Sequence, residues 1–477
     1  MYESMTLQIP FDNSYAALPA RFYTRQTAVP VRAPRLIRFN AALADDLGID
    51  AADEAALAQV FAGNAVPPGS DPLAQVYAGH QFGGFSPQLG DGRALLLGEV
   101  VDSNGQRRDI QLKGSGPTPY SRMGDGRAWL GPVLREYVVS EAMHALGLPT
   151  TRALAAVETG EPVYRETGGM PGAVLTRVAA SHLRVGTFQY FAARRDIEGL
   201  RALYDYTVTR HYPQIEGPAH LLAEVIRRQA KLVAGWLSVG FIHGVMNTDN
   251  TAISGETIDY GPCAFLDVYH PQQVFSSIDA HGRYAYDNQP HVIVWNMAQF
   301  ATALVPLMPD QDAAIEEFTA LVHAMPDRIE TEWRRAFGRK IGIENASAGD
   351  APLVADLLTR MAEGRADFTN TFRGLLDGTA RDQFLQREAF DTWAEGWRAR
   401  IANERDPESV MRATNPAVIP RNHRVEQMID AAVSGHYAPF ERLVSVLANP
   451  FDDQPDAADL TRPPEPAEVV RATFCGT

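Results

Sequence analysis

The sequence predicts an α+β protein with two lobes. Strand patterns with one embedded helix dominate residues 86–185, and helical patterns dominate the chain beyond residue 190. Strands and helices that occupy separate parts of a chain favour an α+β fold over alternating βαβ units. At 477 residues, the chain is long enough for two or three domains or for one large bilobal enzyme.

The charge balance and the apolar runs narrow the class of protein. The 43 Lys and Arg residues against 58 Asp and Glu residues leave a net charge of −15. Non-specific binding to nucleic acids or anionic membranes needs clustered basic residues, so neither partner is expected. The start of the chain lacks the pattern of a signal peptide, and the longest apolar run, 232–242, is well short of a membrane span. A cytoplasmic protein is therefore expected.

A hairpin marks the start of the strand-rich part, after a short predicted helix at 51–63. Segments 94–102 and 106–114 have strand character and flank the turn residues Asn104 and Gly105. The sequence therefore predicts two antiparallel neighbours here.

A helix follows this hairpin. Gly131 and Pro132 favour a helix start, and apolar residues then recur at four-residue intervals until Gly147 ends the pattern. Strand patterns resume in three further segments, at 152–158, 162–166 and 172–179.

The second part of the chain is predicted to be mainly helical. The predicted helices are 219–240, 296–308, 313–325, 353–363, 390–404 and 440–449. A loop-rich stretch at 243–270 follows the first of them, and the acidic, proline-rich tail after residue 451 is expected to be extended.

A glycine-rich turn and a strand lysine form the first candidate for chemistry. Residues 90–93, Gly-Asp-Gly-Arg, precede the first hairpin strand, and Lys113 lies in the second. Glycine turns let backbone N–H groups approach phosphates, and a lysine supplies a positive charge. Because strand residues alternate, Gln111 and Lys113 face away from Ile110 and Leu112. The alternative is an ordinary turn with a surface lysine.

Glu136, on the helix after this strand, is a candidate partner for Lys113. A strand lysine paired with a glutamate on the next helix is the ion pair of protein kinases. The alternative is a solvated glutamate beside Arg135.

The loop after helix 219–240 carries the most specific pattern. His243 and Asn250 are spaced as in the kinase catalytic loop H-R-D-L-x-x-x-N, and Asp259 begins an Asp-Tyr-Gly sequence in the place of D-F-G. Val245 stands where a kinase has its catalytic aspartate, and Asp249 lies beside Asn250 instead. A kinase with this loop has lost its usual base.

Together these segments resemble the selenoprotein O family of pseudokinases, known in bacteria as YdiU. The motifs that carry the resemblance are VYAGHQFGGFSPQLGDGRA, IQLKGSGPTPYSRMGDGRA, VLTRVAASHLRVGTFQ, HGVMNTDN, DYGPC, ATNPAVIPRNH and the terminal CGT. The resemblance implies a bilobal protein-kinase-like fold. It also implies transfer of AMP from ATP to Ser, Thr or Tyr hydroxyls of proteins, the enzyme itself included, with the nucleotide reversed relative to kinases.

The resemblance assigns roles to individual residues. The implied nucleotide contacts are Gly90, Gly92, Arg93, Lys113, Asp125, Gly126, Arg177, Arg184 and Asp259. Asn250 and Asp259 are the implied ligands of Mg²⁺ or Mn²⁺, Asp249 is the implied proton acceptor, and Glu136 is the implied partner of Lys113. Without the resemblance, either arginine would be interpreted as part of a surface ion pair.

The resemblance also divides the chain. It implies an N-terminal extension at 1–85, a kinase-like N-lobe at 86–185, a helical C-lobe at 186–450 and a tail at 451–477. Three other functions remain open: transfer of the γ-phosphoryl group, UMP transfer from UTP with Mn²⁺, and an inactive nucleotide-binding scaffold.

The chain has only two cysteines, Cys263 and Cys475. Two cysteines provide neither a disulfide framework nor a zinc site. The residues alone leave open one buried thiol and one tail thiol, whereas the resemblance implies a redox-sensitive disulfide between the two.

Overall fold

The computed structural model describes residues 7–50, 53–165 and 168–474. Its elements confirm the α+β class, because antiparallel strands dominate up to residue 179 and helices dominate thereafter. None of the helices within these ranges combines the length and the apolar character that crossing a membrane requires.

The strands form one large sheet and two small ribbons. They are β1 (Tyr23–Arg25), β2 (Arg35–Phe39), β3 (Leu73–Gln75), β4 (Gly79–Gln81), β5 (Gly84–Ser86), β6 (Ala94–Val101), β7 (Arg107–Lys113), β8 (Ala128–Trp129), β9 (Arg152–Arg165), β10 (Gly168–Ala179), β11 (Phe241–Ile242) and β12 (Ala264–Phe265). The large sheet has the order β1-β3-β6-β7-β10-β9-β2, with β8 beside β10. The ribbons are β4–β5 and β11–β12.

The helices lie mainly in the second part of the chain. They are α1 (Ala41–Asp46), α2 (Glu54–Phe61), α3 (Leu130–Ala145), α4 (Val185–Ala193), α5 (Ile197–His211), α6 (Gly217–Ser238), α7 (Gln289–Leu304), α8 (Gln311–His323), α9 (Met325–Lys340), α10 (Ala351–Glu363), α11 (Phe368–Arg373), α12 (Arg387–Ile401), α13 (Pro407–Thr414), α14 (Asn422–Val433), α15 (Ala438–Leu447) and α16 (Ala458–Thr461).

The predicted hairpin is present as β6 and β7, with Val101 opposite Arg107. Strands β1, β2 and β3 join the same sheet, although they precede residue 86. The sheet therefore extends beyond the segment 86–185, where the sequence analysis located the strand-rich part.

Two local predictions were wrong. The predicted strand 152–158 and residues 162–165 of the next predicted strand form one continuous strand, β9, because its partner β10 continues alongside it. The tail after residue 451 is not simply extended, since it contains the short helix α16 and buries Leu460 in an apolar cluster with Leu443 of α15. Burial of these apolar side chains offsets the extended preference of an acidic, proline-rich segment.

Helices cover both faces of the sheet. Ile110 and Leu112 of β7 pack in a core with Phe61 of α2, so the alternation predicted for this strand is correct. On the opposite face, α3 packs against β9 and β10, and α14 and α15 pack against α3. The side chain of Lys113 therefore points away from the α2 core and towards α3.

Helix α6 is the centre of the helical part. Pro218 lies in its first turn, where a missing backbone N–H costs nothing, and one apolar face of the helix is buried against α7, α8 and α9. Ribbon β11–β12 follows α6 and holds the two ends of the loop 243–263 together. This loop faces the sheet, and the candidate site lies between them.

Candidate active site

A cavity of about 810 Å³ lies between the sheet and the loop 243–263. It collects most of the residues singled out in the sequence, namely Gly90, Gly92, Arg93, Lys113, Asp125, Gly126, Arg177, Arg184, Asp249, Asn250 and Asp259. Glu136 lies just behind this cavity and contacts Lys113. Cys263 is buried two residues past the cavity-lining Gly261, and Cys475 lies outside the described residues.

Lys113, Glu136 and Arg177 form a compact charged group at the inner end of the cavity. The ammonium of Lys113 lies 2.6 Å from Oε2 of Glu136, and Nη1 of Arg177 lies 3.2 Å from Oε1 of the same carboxylate. Each member comes from a different element, β7, α3 and β10, and the Arg177 side chain is only 2% exposed. Neither Glu136 nor Arg177 is a solvated surface residue.

Three side-chain cations contact the carboxylate of Asp259. Its Oδ1 accepts from Lys113 at 3.0 Å and from Arg177 at 2.6 Å, and its Oδ2 accepts from Arg184 at 2.5 Å. Burial opposes ionisation of Asp259, but the nearby cations outweigh it and hold the pKa well below its usual range. Its backbone φ of +64° is uncommon for a residue with a side chain, and such strain concentrates at functional sites.

Arg184 connects the Asp259 carboxylate to the backbone of Asp249, earlier in the same loop. It precedes the first residue of α4, and its guanidinium also donates to the backbone carbonyl of Asp249 at 2.5 Å. The same guanidinium lies 4.7 Å from the centre of the Tyr77 ring. These contacts orient a buried cation whose planar donors suit phosphate oxygens.

Asp249 has one carboxylate oxygen held and one unpaired. Its Oδ2 accepts from the side chain of Gln81 at 3.0 Å, whereas its buried Oδ1 has no hydrogen-bond partner among the described residues. Burial raises the pKa of Asp249 to about 6. A carboxylate with a free oxygen and a raised pKa is suited to accept a proton near neutral pH.

Sequence reasoning assigned no role in the site to three polar residues, Gln81, Asp91 and Gln111. Gln111 accepts from Arg177 at 2.6 Å and donates to Asp91 at 3.2 Å, so it orients the arginine from the same strand face as Lys113. Strand alternation predicted that shared face but not the contact. Burial raises the pKa of Asp91 to about 6, and the sequence had marked this residue only as part of a turn.

The side-chain oxygens of Asn250 and Asp259 are suitable ligands for a hard divalent cation. Asn250 donates its amide hydrogen to Val245 at 2.9 Å, which leaves its amide oxygen for a ligand, and Asp259 adds a carboxylate. No group of three or more His, Cys, Asp or Glu side chains able to hold a metal occurs in the described ranges, so phosphate oxygens and water would complete the coordination.

The glycine turns are explained by close packing. A Cβ at Gly90 would lie 2.6 Å from the ring of Tyr120, and one at Gly92 would lie 2.9 Å from the Tyr120 carbonyl oxygen. Gly126 has φ +66°, and a Cβ there would lie 2.2 Å from Gly116. The two turns therefore pack at backbone distance, which brings backbone groups close to the cavity wall.

Asp125, the other predicted contact on the second turn, accepts from Arg165 at 2.7 Å. His243, the first residue of the kinase-like loop pattern, is buried and does not line the cavity. Its Nε2 lies 2.9 Å from the carbonyl of Ile258, so it fixes the backbone next to Asp259.

A second cavity, of about 410 Å³, lies within the helical part. Its lining is largely apolar and includes the acidic residues Asp287 and Glu330, with no Lys or Arg among its described lining residues. Because a polyphosphate needs cationic neighbours, this cavity does not suit a nucleotide.

Comparisons with known proteins identify the class of enzyme to which this protein belongs. Curated relatives named "Protein nucleotidyltransferase YdiU" match from Ruegeria sp. strain TM1040 (67% identity, 99% of this chain and 100% of the relative), Jannaschia sp. strain CCS1 (60%, 98% and 99%) and Bradyrhizobium diazoefficiens (57%, 99% and 100%). The protein is thus a nucleotidyltransferase, an enzyme class that the sequence analysis predicted. The family model described as "Protein adenylyltransferase SelO" matches residues 5–448. The chain belongs to the SelO/YdiU family, as its motifs indicated.

Proposed function

We propose that this enzyme transfers AMP from ATP to Ser, Thr or Tyr hydroxyls of proteins, itself included. The acceptor oxygen attacks the α-phosphorus, and the bond from that phosphorus to the α,β-bridging oxygen breaks. Pyrophosphate leaves with the electron pair, and the acceptor proton passes to Asp249. The observation that carries this proposal is the buried carboxylate of Asp249, which has one unpaired oxygen and lines the same cavity as the cation Arg184, whose guanidinium donates to the Asp249 backbone carbonyl.

The depth of the cations supports a reversed nucleotide. Lys113, Arg177 and Arg184 have side-chain exposures of only 12%, 2% and 2%. Such buried cations suit the most highly charged end of ATP, its terminal phosphates. With those phosphates inside, the α-phosphate lies nearer to Asp249 and to the incoming hydroxyl.

Asn250 and Asp259 are the residues that we expect to hold Mg²⁺ or Mn²⁺. When bound, the cation neutralises phosphate charge and orients the oxygens around phosphorus. Asp259 already accepts from three side chains, and a bound triphosphate would draw these cations partly onto its own oxygens. The carboxylate would then have lone pairs for the metal.

We also propose that the two parts of the chain correspond to the lobes of a protein kinase. The pairing of Lys113 on β7 with Glu136 on α3 supports this arrangement, as does the order of Asn250 and Asp259 in the facing loop. The domain boundaries at residues 85, 185 and 450 remain predictions.

A labelling experiment separates the candidate functions. The purified protein is incubated with Mg²⁺ and ATP labelled at either the α- or the γ-phosphate, and intact mass is measured in parallel. We expect retention of the α-label and a mass increase of one AMP. Retention of the γ-label would identify a kinase instead, which the valine at position 245 argues against. No label at all would indicate a nucleotide-binding scaffold.

The same experiment with UTP and Mn²⁺ tests UMP transfer. The contacts described at the inner end of the cavity involve charged groups and would bind phosphates without reading the base. An added UMP mass that exceeds AMP labelling at equal nucleotide concentration would make UTP the preferred donor.

We further propose a redox-sensitive disulfide between Cys263 and Cys475. The hydroxyl of Thr473 donates to the carbonyl of Pro262 at 2.6 Å, so the tail is anchored next to the buried Cys263. From Thr473, two residues of extended chain reach about 7 Å, which is enough to bring Cys475 within the Cα separation that a disulfide with Cys263 requires. Phe474 lines a small cavity together with Tyr260 and Gly261, so such a bond would restrain the tail near the loop that we expect to bind the metal.

A further inference from the structure

The ribbon β4–β5, residues 79–86, is fixed to the loop that carries the proposed base. The backbone N–H groups of His80 and Phe82 and the side chain of Gln81 donate to residues 247–249, at 2.7, 3.1 and 3.0 Å. The contact is so close that a Cβ on Gly79 would lie 2.5 Å from the carboxylate of Asp249, the proposed base. The ribbon therefore forms one wall of the space in front of Asp249.

The ribbon exposes an aromatic side chain beside this space. Phe82 is 38% exposed and lines the cavity. The backbone φ of Phe82 is +52°, which is strained for a bulky residue. Its ring packs against Tyr284 at 5.1 Å, and the Tyr284 hydroxyl donates to Asn247 at 2.6 Å. Phe82 is thus an exposed aromatic residue with a strained backbone, and it packs on a tyrosine that a buried hydrogen bond fixes. Strain of this kind indicates a functional position.

Ile278 adds apolar surface from a different segment of the chain. It is 52% exposed and lines the same mouth as Phe82, although it comes from the helical part of the protein. Exposed apolar side chains that converge from separate segments mark an interaction site more often than single ones do.

We propose that Phe82 and Ile278 form the surface that holds the acceptor polypeptide, which is an extended segment with apolar side chains flanking its hydroxyl residue. This inference rests on the proposed function. For its proton to reach Asp249, the acceptor hydroxyl must approach this carboxylate from the cavity that Asp249 lines, and its neighbours in sequence then lie against the ribbon.

Backbone geometry favours a polypeptide at this surface. Strand β5 is the outer strand of its ribbon and pairs only with β4 among the described strands, so its other edge can accept an extended chain. The glycine turn at 90–93 and the turn at 121–126 form a different part of the cavity wall, and we expect the nucleoside there.

Steady-state transfer of AMP to synthetic peptides tests the surface. One peptide set places Leu or Phe on both sides of a single Ser, and a matched set has Gly at those positions. The variants are Phe82→Ala, Ile278→Ala and the conservative Phe82→Leu. Leu385→Ala is the control, because Leu385 is 75% exposed and does not line the cavity.

We expect Phe82→Ala to raise the KM for the apolar peptides about tenfold, as loss of an aromatic anchor does at interfaces. The KM for ATP should stay unchanged, discrimination between the two peptide sets should shrink, and Phe82→Leu should restore part of both. Ile278→Ala should act in the same direction and provides the test if Phe82→Ala does not fold. Leu385→Ala should behave as wild type.

Three results would overturn the inference. If wild-type enzyme transfers AMP but both alanine variants keep its peptide KM, the surface does not hold the acceptor. If Phe82→Ala raises the KM for ATP as much as that for peptide, the surface binds the nucleoside. If wild-type enzyme transfers AMP neither to peptides nor to itself, the proposed function fails, and the inference fails with it.

Discussion

The guanidinium of Arg184 lies 2.5 Å from the carboxylate of Asp259, and this ion pair joins the two halves of the site. Arg184 leads from the sheet into α4, whereas Asp259 belongs to the loop of the helical part. A buried pair of this kind is stable only when its remaining donors and acceptors are satisfied. Here Lys113 and Arg177 complete the carboxylate side, so the three cations can exchange partners between Asp259 and a polyphosphate.

Replacement of Asp259 by asparagine should uncouple nucleotide binding from the metal. The amide keeps the shape and an acceptor oxygen, but it removes the charge that a divalent ion needs. We expect AMP transfer to fall by at least about 100-fold. Calorimetric titration with a non-hydrolysable ATP analogue should show affinity that no longer depends on Mg²⁺. Wild-type transfer by this variant would contradict the assignment of Asp259.

Replacement of Asp249 by asparagine should leave nucleotide binding largely intact and slow transfer. A general base contributes about 10²- to 10⁴-fold to the chemical step, and an amide cannot take the proton. Labelling rates at saturating ATP provide the measurement. If binding and rate both stay at wild-type values, Asp249 has only a structural role.

Gln81→Ala tests how Asp249 is oriented. Loss of the 3.0 Å hydrogen bond frees the carboxylate, and a net cost of about 1 kcal/mol corresponds to a rate decrease of about fivefold. Because the base itself remains, the effect on rate should be much smaller than that of Asp249→Asn, and the variant should bind ATP normally. Equal losses in the two variants would mean that Gln81 does more than orient the base.

Reduction should raise activity if Cys263 and Cys475 form a disulfide. Peptide mapping under non-reducing conditions should identify the bond, and dithiothreitol should increase transfer to protein acceptors. Cys475→Ala should be fully active with or without reductant. Two thiols that remain reduced under oxidising conditions, with activity indifferent to dithiothreitol, would exclude the switch.

Buried His182 should contribute a loss of stability at mildly acid pH. Its ring lies 2.8 Å from Asp109, which in turn pairs with Arg210. Burial lowers the pKa of His182 to about 4. The nearby cations Arg177 and Arg184 lower it further, whereas the Asp109 carboxylate raises it. The unfolded chain, with a histidine pKa near 6.5, therefore binds the proton first. The contribution of His182 to the unfolding free energy should decrease as pH falls from about 6.5 to 4, whereas the raised pKa values of Asp91 and Asp249 act in the opposite direction.

The urea midpoint measured across this pH range checks the expectation. One proton taken up on unfolding corresponds to about 1.4 kcal/mol per pH unit. His182→Asn, which keeps a donor for Asp109, should reduce the slope by up to that amount. An unchanged slope would show that other groups account for the acid sensitivity.

Local periodicity in the sequence was sufficient for several elements that build the site. The turn at Asn104 and Gly105 specified the hairpin β6–β7, and strand alternation put Lys113 on the face opposite Ile110. The spacing from Asn250 to Asp259 picked out the loop that faces the sheet. These features are encoded by residues close together in the chain, so they can be read without knowledge of the fold.

Tertiary structure alone decided which distant residues meet. Gln81 and Asp249 are 168 positions apart, and nothing in the local sequence around either residue indicates their hydrogen bond. The same holds for the packing of α14 on α3. Whether Arg177 and Arg184 are surface residues or buried cations likewise depends on which other elements of the fold cover them. Burial and long-range contacts arise from the packing of whole elements, and that packing determines the charge environment in which the site works.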